Sequence, residues 1–191
     1  KAKAEGRPII FVSGHFGNWE LGAAAVDAQI MRSVSTHKKL NNPWFDRYLL
    51  QSRSRLGMKM VEKNGAIKHL TRALKNKQAV SIMIDQNINP RESIIVKFFG
   101  KEVTQTSAPA FLARKFNAAI IPAFLHTDDE KHYTIRFEPE IPVETTEDAQ
   151  SDILKATQLQ SDVMERIVRE EPKFWFWCHR RWKTMHPEIY D

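Results

Sequence analysis

Cysteine occurs once in the 191-residue sequence, at Cys178, so the chain cannot form an internal disulfide, and its thiol content fits a reducing compartment. No run of about 18 apolar residues is present, and no segment is therefore predicted to span a membrane. The first residues also lack the pattern of a secretory signal peptide. An apolar, strand-like stretch begins as early as residue 8. We therefore expect a fragment of a longer protein, without an N-terminal membrane anchor that would lie upstream.

Motifs for metals and nucleotide cofactors are missing as well. None of the seven histidines forms a His-x3-His pair, and there is no cysteine cluster, so no metal site is predicted. The glycine-rich loops that bind nucleotide phosphates or dinucleotides are absent. We therefore expect no cofactor.

Basic residues outnumber acidic ones, 29 to 23, which gives a net charge of +6. Such a surface favours acidic partners: anionic lipid, nucleic acid or an acidic carrier protein. The segment 174–183, FWFWCHRRWK, interleaves aromatic and basic residues. It fits stacking on nucleic acid, contact with a membrane surface, or an edge strand that covers the core. Because no RNA- or DNA-binding motif accompanies it, no nucleic-acid partner is expected.

Predicted strands alternate with predicted helices along the whole chain, without a linker. This order indicates one α/β domain over residues 1–191, a three-layer α/β/α arrangement with a mixed, largely parallel sheet. Asn18, Asn42 and Asn64 are the predicted N-caps of the first three helices. Strands are predicted at 8–13, 33–36, 79–84, 94–98, 119–124, 133–137 and 174–177; helices at 19–31, from 43 to near 57, from 64 onward, at 106–116 and at 147–169.

The string GHFGNWE at 14–20 is the strongest candidate for chemistry. It places His15 just past the first strand and Glu20 in the first turn of the following helix. Ligands of α/β sheets collect beyond the carboxyl ends of strands. If the loop folds back, Glu20 contacts one imidazole nitrogen and the other faces the site, so that His15 can take a proton from a hydroxyl. A histidine in an ordinary turn and a glutamate favoured by the helix dipole remain the alternative.

Two further residues, Ser13 and Cys178, are weaker candidates for chemistry, each as a nucleophile. Ser13 precedes Gly14, but the Gly-x-Ser-x-Gly pattern of hydrolases is absent, and His15 would have to turn back onto its neighbour. Cys178 and His179 are adjacent in sequence, and adjacent residues of a strand point to opposite faces. We therefore interpret Cys178 as structural.

Further polar residues are candidates for substrate binding. Arg53 and Arg55 lie in a polar helical stretch, and one or both could grip a phosphate, or else form a solvated face. Asp85 and Gln86 close the most apolar predicted strand, again at the ligand edge of the sheet, although an ordinary strand exit has the same composition.

Taken together these residues resemble the bacterial lipid A biosynthesis acyltransferases of the late lauroyl and myristoyl type, within the larger group of glycerolipid acyltransferases that share a His-x4-acid box. The resemblance covers residues 9–183. Its motifs are GHFGNWE at 14–20, NNP at 41–43 followed by Arg53 and Arg55, DQ at 85–86 with FFG at 98–100, and WCHRRWK at 177–183. The closing string favours the lipid A branch, whereas the box alone is shared more widely and has Asp more often than Glu.

The resemblance implies an acyltransferase that moves a fatty acyl chain from acyl carrier protein or acyl-CoA to a hydroxyl of a lipid A precursor, at the cytoplasmic face of the bacterial inner membrane. His15 would be the general base and Glu20 its partner. The substrate-binding residues would be Arg53, Arg55, Asp85, Gln86, Asn18 and Arg180. Its partners would be the acyl donor, an anionic lipid acceptor and the membrane surface, to which this fragment would bind peripherally.

Three alternatives stay open. Relatives of this branch acylate other glycerolipid or glycolipid acceptors. The same pair acting on water would make the chain an acyl-thioester hydrolase. A binding module for anionic lipid or nucleic acid would use Arg180 and Arg181 rather than His15. Phe16, Trp19 and Trp44 are the expected walls of an acyl pocket.

Overall fold

A six-stranded sheet forms the centre of the computed structural model, which describes residues 1–191. The strands of the chain are β1 (Ile9–Ser13), β2 (Ser33–His37), β3 (Lys59–Glu62), β4 (Ala79–Met83), β5 (Ile94–Phe98), β6 (Lys101–Gln105), β7 (Ala119–His126) and β8 (Thr134–Phe137). The order across the sheet is β3-β2-β4-β1-β7-β8. All neighbours are parallel except β7 and β8. Strands β5 and β6 form a separate antiparallel hairpin.

Five helices cover the sheet: α1 (Trp19–Gln29), α2 (Pro43–Arg55), α3 (Ala66–Lys75), α4 (Ala108–Phe116) and α5 (Ala149–Glu170). Short 3-10 turns occupy Pro90–Glu92, Pro172–Phe174 and Pro187–Tyr190. None of the helices combines the length and the apolar character needed to cross a bilayer.

The two faces of the sheet bury different side chains of the same strands, because successive strand residues point to opposite sides. Ile10 of β1 packs in the larger core cluster with Leu70 of α3 and Met164 of α5. Phe11, the next residue of β1, packs on the other face with Val26 of α1. Helices therefore lie on both faces, and the predicted three-layer α/β/α domain with a mixed, largely parallel sheet is confirmed.

Three local predictions are wrong. Strands β3 and β6 were not expected: β3 is a short, half-exposed edge strand, and β6 follows a turn at Phe99 and Gly100 with positive φ at both residues. Asn64 does not cap α3, which begins after Gly65 without a side-chain cap. The predicted strand at 174–177 is absent, because the 3-10 turn after Pro172 leads into a single bridge between Trp175 and Phe16.

Candidate active site

A tight turn after β1 carries His15 to the carboxyl edge of the sheet. The Phe16 N–H donates to the Gly14 carbonyl at 2.8 Å, which reverses the chain. Gly17 has a φ of +56°, and its N–H donates to the carbonyl of Phe174 at 2.8 Å. A Cβ at Gly17 would be strained there and would approach the Leu125 carbonyl oxygen to 3.0 Å. Glycine at 17 is therefore needed for the shape of the turn.

The partner of His15 is Asp85. This residue follows β4, which lies beside β1 in parallel, so that both strands end at the same edge of the sheet. The His15 Nδ1 lies 2.8 Å from Asp85 Oδ1, and the His15 backbone N–H donates to Asp85 Oδ2 at 2.8 Å. The Trp175 indole Nε1–H donates to the same Oδ2 at 3.1 Å. Asp85 thus binds both the ring and the backbone of His15.

The charge of Asp85 sets the tautomer of His15. Burial alone would raise the pKa of the Asp85 carboxyl, but hydrogen bonds from His15 and Trp175 and the attraction of the imidazole outweigh it, so the pKa is lowered. An ionised carboxylate accepts only, and it therefore favours a hydrogen on Nδ1 of His15. The other nitrogen, Nε2, is left as a base, with the Gln86 side-chain nitrogen 3.5 Å away.

The predicted contact between His15 and Glu20 is wrong. Glu20 lies in the first turn of α1, and its carboxylate points toward α2, where Arg53 Nε donates to Oε2 at 2.9 Å and Arg53 Nη2 donates to Oε1. The reason is geometric: Asp85 already occupies the Nδ1 side of His15 from the neighbouring strand. Glu20 contributes to the site through Arg53, whose side chain is largely buried.

A cavity of about 890 Å³ opens at this site and is lined mainly by apolar side chains. His15, Glu20, Arg53 and Gln86 all lie on its wall. Of the expected apolar walls, Phe16 and Trp19 line the cavity; Trp44 does not, being 80% exposed on α2.

The remaining predicted site residues lie away from the cavity. Asn18 caps α1, as predicted, by accepting from the Leu21 N–H at 3.1 Å. Arg55 is exposed at the last turn of α2. Arg180 is exposed, with its guanidinium over the ring of Tyr190. These two arginines do not join the cluster, because their side chains point to solvent.

The closing basic string contributes a different arginine, Arg181, which the sequence suggested only as part of a surface that binds anionic lipid or nucleic acid. Arg181 is 1% exposed and has no carboxylate partner. It donates to the carbonyls of Gln86 at 2.8 Å and Thr104 at 2.6 Å, and to Gln105 Oε1 at 2.8 Å. Burial lowers its pKa to about 10. Arg181 therefore holds the segment that follows Asp85 in place. In the sequence, only its position in the HRRW string pointed to this residue.

His179 supports the same segment. Its Nε2 accepts from the Asn87 backbone N–H at 2.7 Å, which requires the neutral ring. Burial lowers the pKa of the His179 imidazole, and the cation of Arg181 contributes in the same direction. The neighbouring Cys178 is exposed.

The fold and site together define a class: an α/β domain with a carboxylate-held histidine at the carboxyl edge of its sheet, beside a large apolar cavity. Comparison with known proteins specifies the family. The model of the bacterial lipid A biosynthesis acyltransferases matches residues 1–184, and the chain belongs to this family. The predicted resemblance is therefore confirmed.

Named relatives agree with this assignment. The chain is 26% identical over 184 residues to the lipid A biosynthesis lauroyltransferase of Escherichia coli, covering 95% of this chain and 58% of the relative. It is 25% identical over 186 residues to the palmitoleoyltransferase of the same pathway in E. coli, covering 96% and 58%. A lipid A biosynthesis acyltransferase of Haemophilus influenzae is 25% identical over 190 residues, covering 96% and 59%. The chain thus spans somewhat more than half the length of these relatives.

Proposed function

We propose that the chain is an acyltransferase that moves a fatty acyl group from a thioester donor, acyl carrier protein or acyl-CoA, to a hydroxyl of a lipid A precursor or a related glycolipid. The observation that carries the proposal is the imidazole of His15, which is held by Asp85 at Nδ1 and lies on the wall of an apolar cavity. Family membership and the names of the relatives support the same reaction class.

The reaction is a direct transfer. Nε2 of His15 takes the proton of the acceptor hydroxyl while the oxygen attacks the thioester carbonyl. The tetrahedral oxyanion then collapses and breaks the carbon–sulfur bond, and the thiolate takes the proton back from Nε2. The products are an ester and a thiol. Asp85 stabilises the imidazolium formed between these steps, as the aspartate of a catalytic triad does.

Arg53 is a cation on the wall of the cavity, and in our proposal it assists this chemistry. Its guanidinium is fixed by Glu20, which keeps a cation on the wall that also holds His15. A cation held in this way stabilises a developing oxyanion or binds a phosphate of the acceptor. Glu20 therefore acts as a positioning residue for Arg53.

The size and lining of the cavity fit a lipid substrate. Ligand sites for molecules of drug size occupy about 300–1,000 Å³ and are mostly apolar, with a few polar groups that fix orientation. The cavity has that size and is lined mainly by apolar side chains, with His15 and Arg53 among its polar groups.

Charge supports the proposed partners. The net charge of +6 complements both an acidic carrier protein and a phosphorylated lipid acceptor. We propose that the protein works at a membrane surface, on the cytoplasmic side of the bacterial inner membrane, where such donors are available.

Substitution of His15 by Ala tests the proposal. With an acyl carrier protein thioester and a lipid A precursor, mass spectrometry should show that His15→Ala forms no acylated lipid although its circular dichroism is unchanged. The matched control is His69→Ala, which removes an exposed imidazole of α3 that does not line the cavity and should leave the turnover unchanged. Near-normal acylation by folded His15→Ala contradicts the proposal, and free fatty acid as the sole product, even with acceptor present, indicates a hydrolase instead.

A further inference from the structure

Helix α2 presents an unusual surface for a water-soluble helix. None of its side chains is buried, and its outer face carries three aromatic residues. Trp44 is 80% exposed, Tyr48 67% and Phe45 56%. Trp44 and Tyr48 are one turn apart, so their rings lie side by side on the helix. Contiguous exposed aromatic side chains of this kind mark a binding surface.

Other side chains of α2 belong to the proposed active site. Leu49 and Arg53 line the cavity, and Arg53 is the residue that Glu20 holds. Leu40, just before the helix, lines the cavity as well. The same helix thus carries the exposed aromatic residues and part of the cavity wall, and anything bound to α2 lies next to that wall.

The charges around α2 are almost all positive. Within residues 38–59 there are six basic residues and one acidic residue, Asp46, whose Oδ1 accepts from the Leu40 N–H. The exposed cations without an ion-pair partner are Lys38, Lys39, Arg47, Arg55 and Lys59. Aromatic rings flanked by free lysine and arginine are typical of protein segments that bind at the headgroup level of anionic bilayers.

We propose that the α2 surface, formed by Lys38, Lys39, Trp44, Phe45, Arg47, Tyr48 and Arg55, docks on an anionic lipid bilayer with its rings at the headgroup level. The proposal rests on the function proposed above, because a lipid acceptor would then reach the cavity beside α2 without crossing water. A second copy of the chain fits less well. A two-fold contact would bring this surface against itself and place like charges together.

Vesicle sedimentation tests the docking with the 191-residue chain, using phosphatidylcholine vesicles with and without phosphatidylglycerol. The double variant Trp44→Ser/Tyr48→Ser should bind about tenfold more weakly or worse, since two interfacial rings lose their apolar contact. The matched control, Ile95→Ser/Phe111→Ser, removes two exposed apolar side chains elsewhere and should bind as the unmodified chain does. Lys38→Gln/Lys39→Gln should weaken binding about fivefold per charge on phosphatidylglycerol vesicles and much less on phosphatidylcholine.

Several outcomes overturn the docking surface. The proposal is contradicted if the Trp44→Ser/Tyr48→Ser variant and its control bind equally well. It is also contradicted if the unmodified chain does not bind anionic vesicles. Concentration-dependent dimers that the same variant abolishes would assign the surface to a second copy. Because vesicle binding needs no turnover, His15→Ala should bind normally. A failure of the proposed acyl transfer can therefore be distinguished from a failure of the proposed docking.

Discussion

Replacing Asp85 by Asn tests the central pair of the site with a minimal change in shape. The asparagine side chain would keep an oxygen for the His15 backbone N–H and for Trp175, which both donate to Oδ2 of Asp85, but it would carry no charge to hold the hydrogen on Nδ1 of His15. An amide nitrogen facing Nδ1 would favour the opposite tautomer, with the hydrogen on Nε2. The base that faces the cavity would then be protonated and inactive in the neutral ring.

The structure sets the size of the effect. Asp85 is 4% exposed, so water cannot replace it, and it accepts three hydrogen bonds at 2.8–3.1 Å. The same aspartate-to-asparagine change in a catalytic triad lowers kcat by about 10⁴-fold. This corresponds to about 5 kcal/mol of lost transition-state stabilisation. We expect a loss of about 10³–10⁴-fold in kcat here, with a smaller loss of folding stability, about 1–3 kcal/mol.

Glu20→Gln is the comparison that decides between the two carboxylates. The glutamine side chain can still accept a hydrogen bond from Arg53, and it does not touch His15, so we expect a much smaller loss in kcat, about tenfold or less. Transfer from an acyl carrier protein thioester, followed by mass spectrometry of the lipid product, measures both variants. A severe loss in Glu20→Gln together with near-normal kcat in Asp85→Asn would refute the assignment of Asp85 as the partner of His15.

Three further predictions concern the support of the site. Arg181→Lys should lower the free energy of unfolding by about 3 kcal/mol in urea titrations, because a lysine cannot serve three buried acceptors. The lowered pKa of His179 means that the unfolded chain binds the proton more readily; stability should therefore fall as the pH drops below about 6.5, and less so in His179→Gln. Gly17→Ala should lower the free energy of unfolding by about 1 kcal/mol or more, since alanine is strained at that φ, and the melting temperature should fall accordingly.

Each of these predictions has a contradicting result. Unchanged unfolding of Arg181→Lys would mean that its hydrogen bonds add little to stability. Because Glu171 raises the pKa of His126 and thereby opposes the acid trend, the informative quantity for His179 is the difference between the unmodified chain and His179→Gln. If the difference in the free energy of unfolding between these two proteins stays constant as the pH falls below about 6.5, the prediction is contradicted. An unaltered melting temperature for Gly17→Ala would show that the turn relaxes.

Local patterns were sufficient to predict most of the fold. Short apolar runs identify β1, β4 and β7, and Asn-capped periodic segments identify α1 and α2, because these signals depend on nearby residues. The edge strand β3 and the strand β6 carry few apolar residues and are visible only once their neighbours are in place. The run at 174–177 has strand composition, but the turn after Pro172 and the packing of Trp175 against Asp85 prevent a strand.

For the active site, the sequence alone determined the position of His15: a strand, a glycine turn and a helix place it at the ligand edge of an α/β sheet. It also determined that Asp85 and Arg53 were candidates. Only the tertiary structure decided which carboxylate serves His15. Asp85 is 70 residues away in sequence and is brought to Nδ1 by the parallel pairing of β1 with β4, whereas nearby Glu20 follows the direction of α1 toward Arg53. Strand pairing is a long-range contact, and spacing along the chain does not record it.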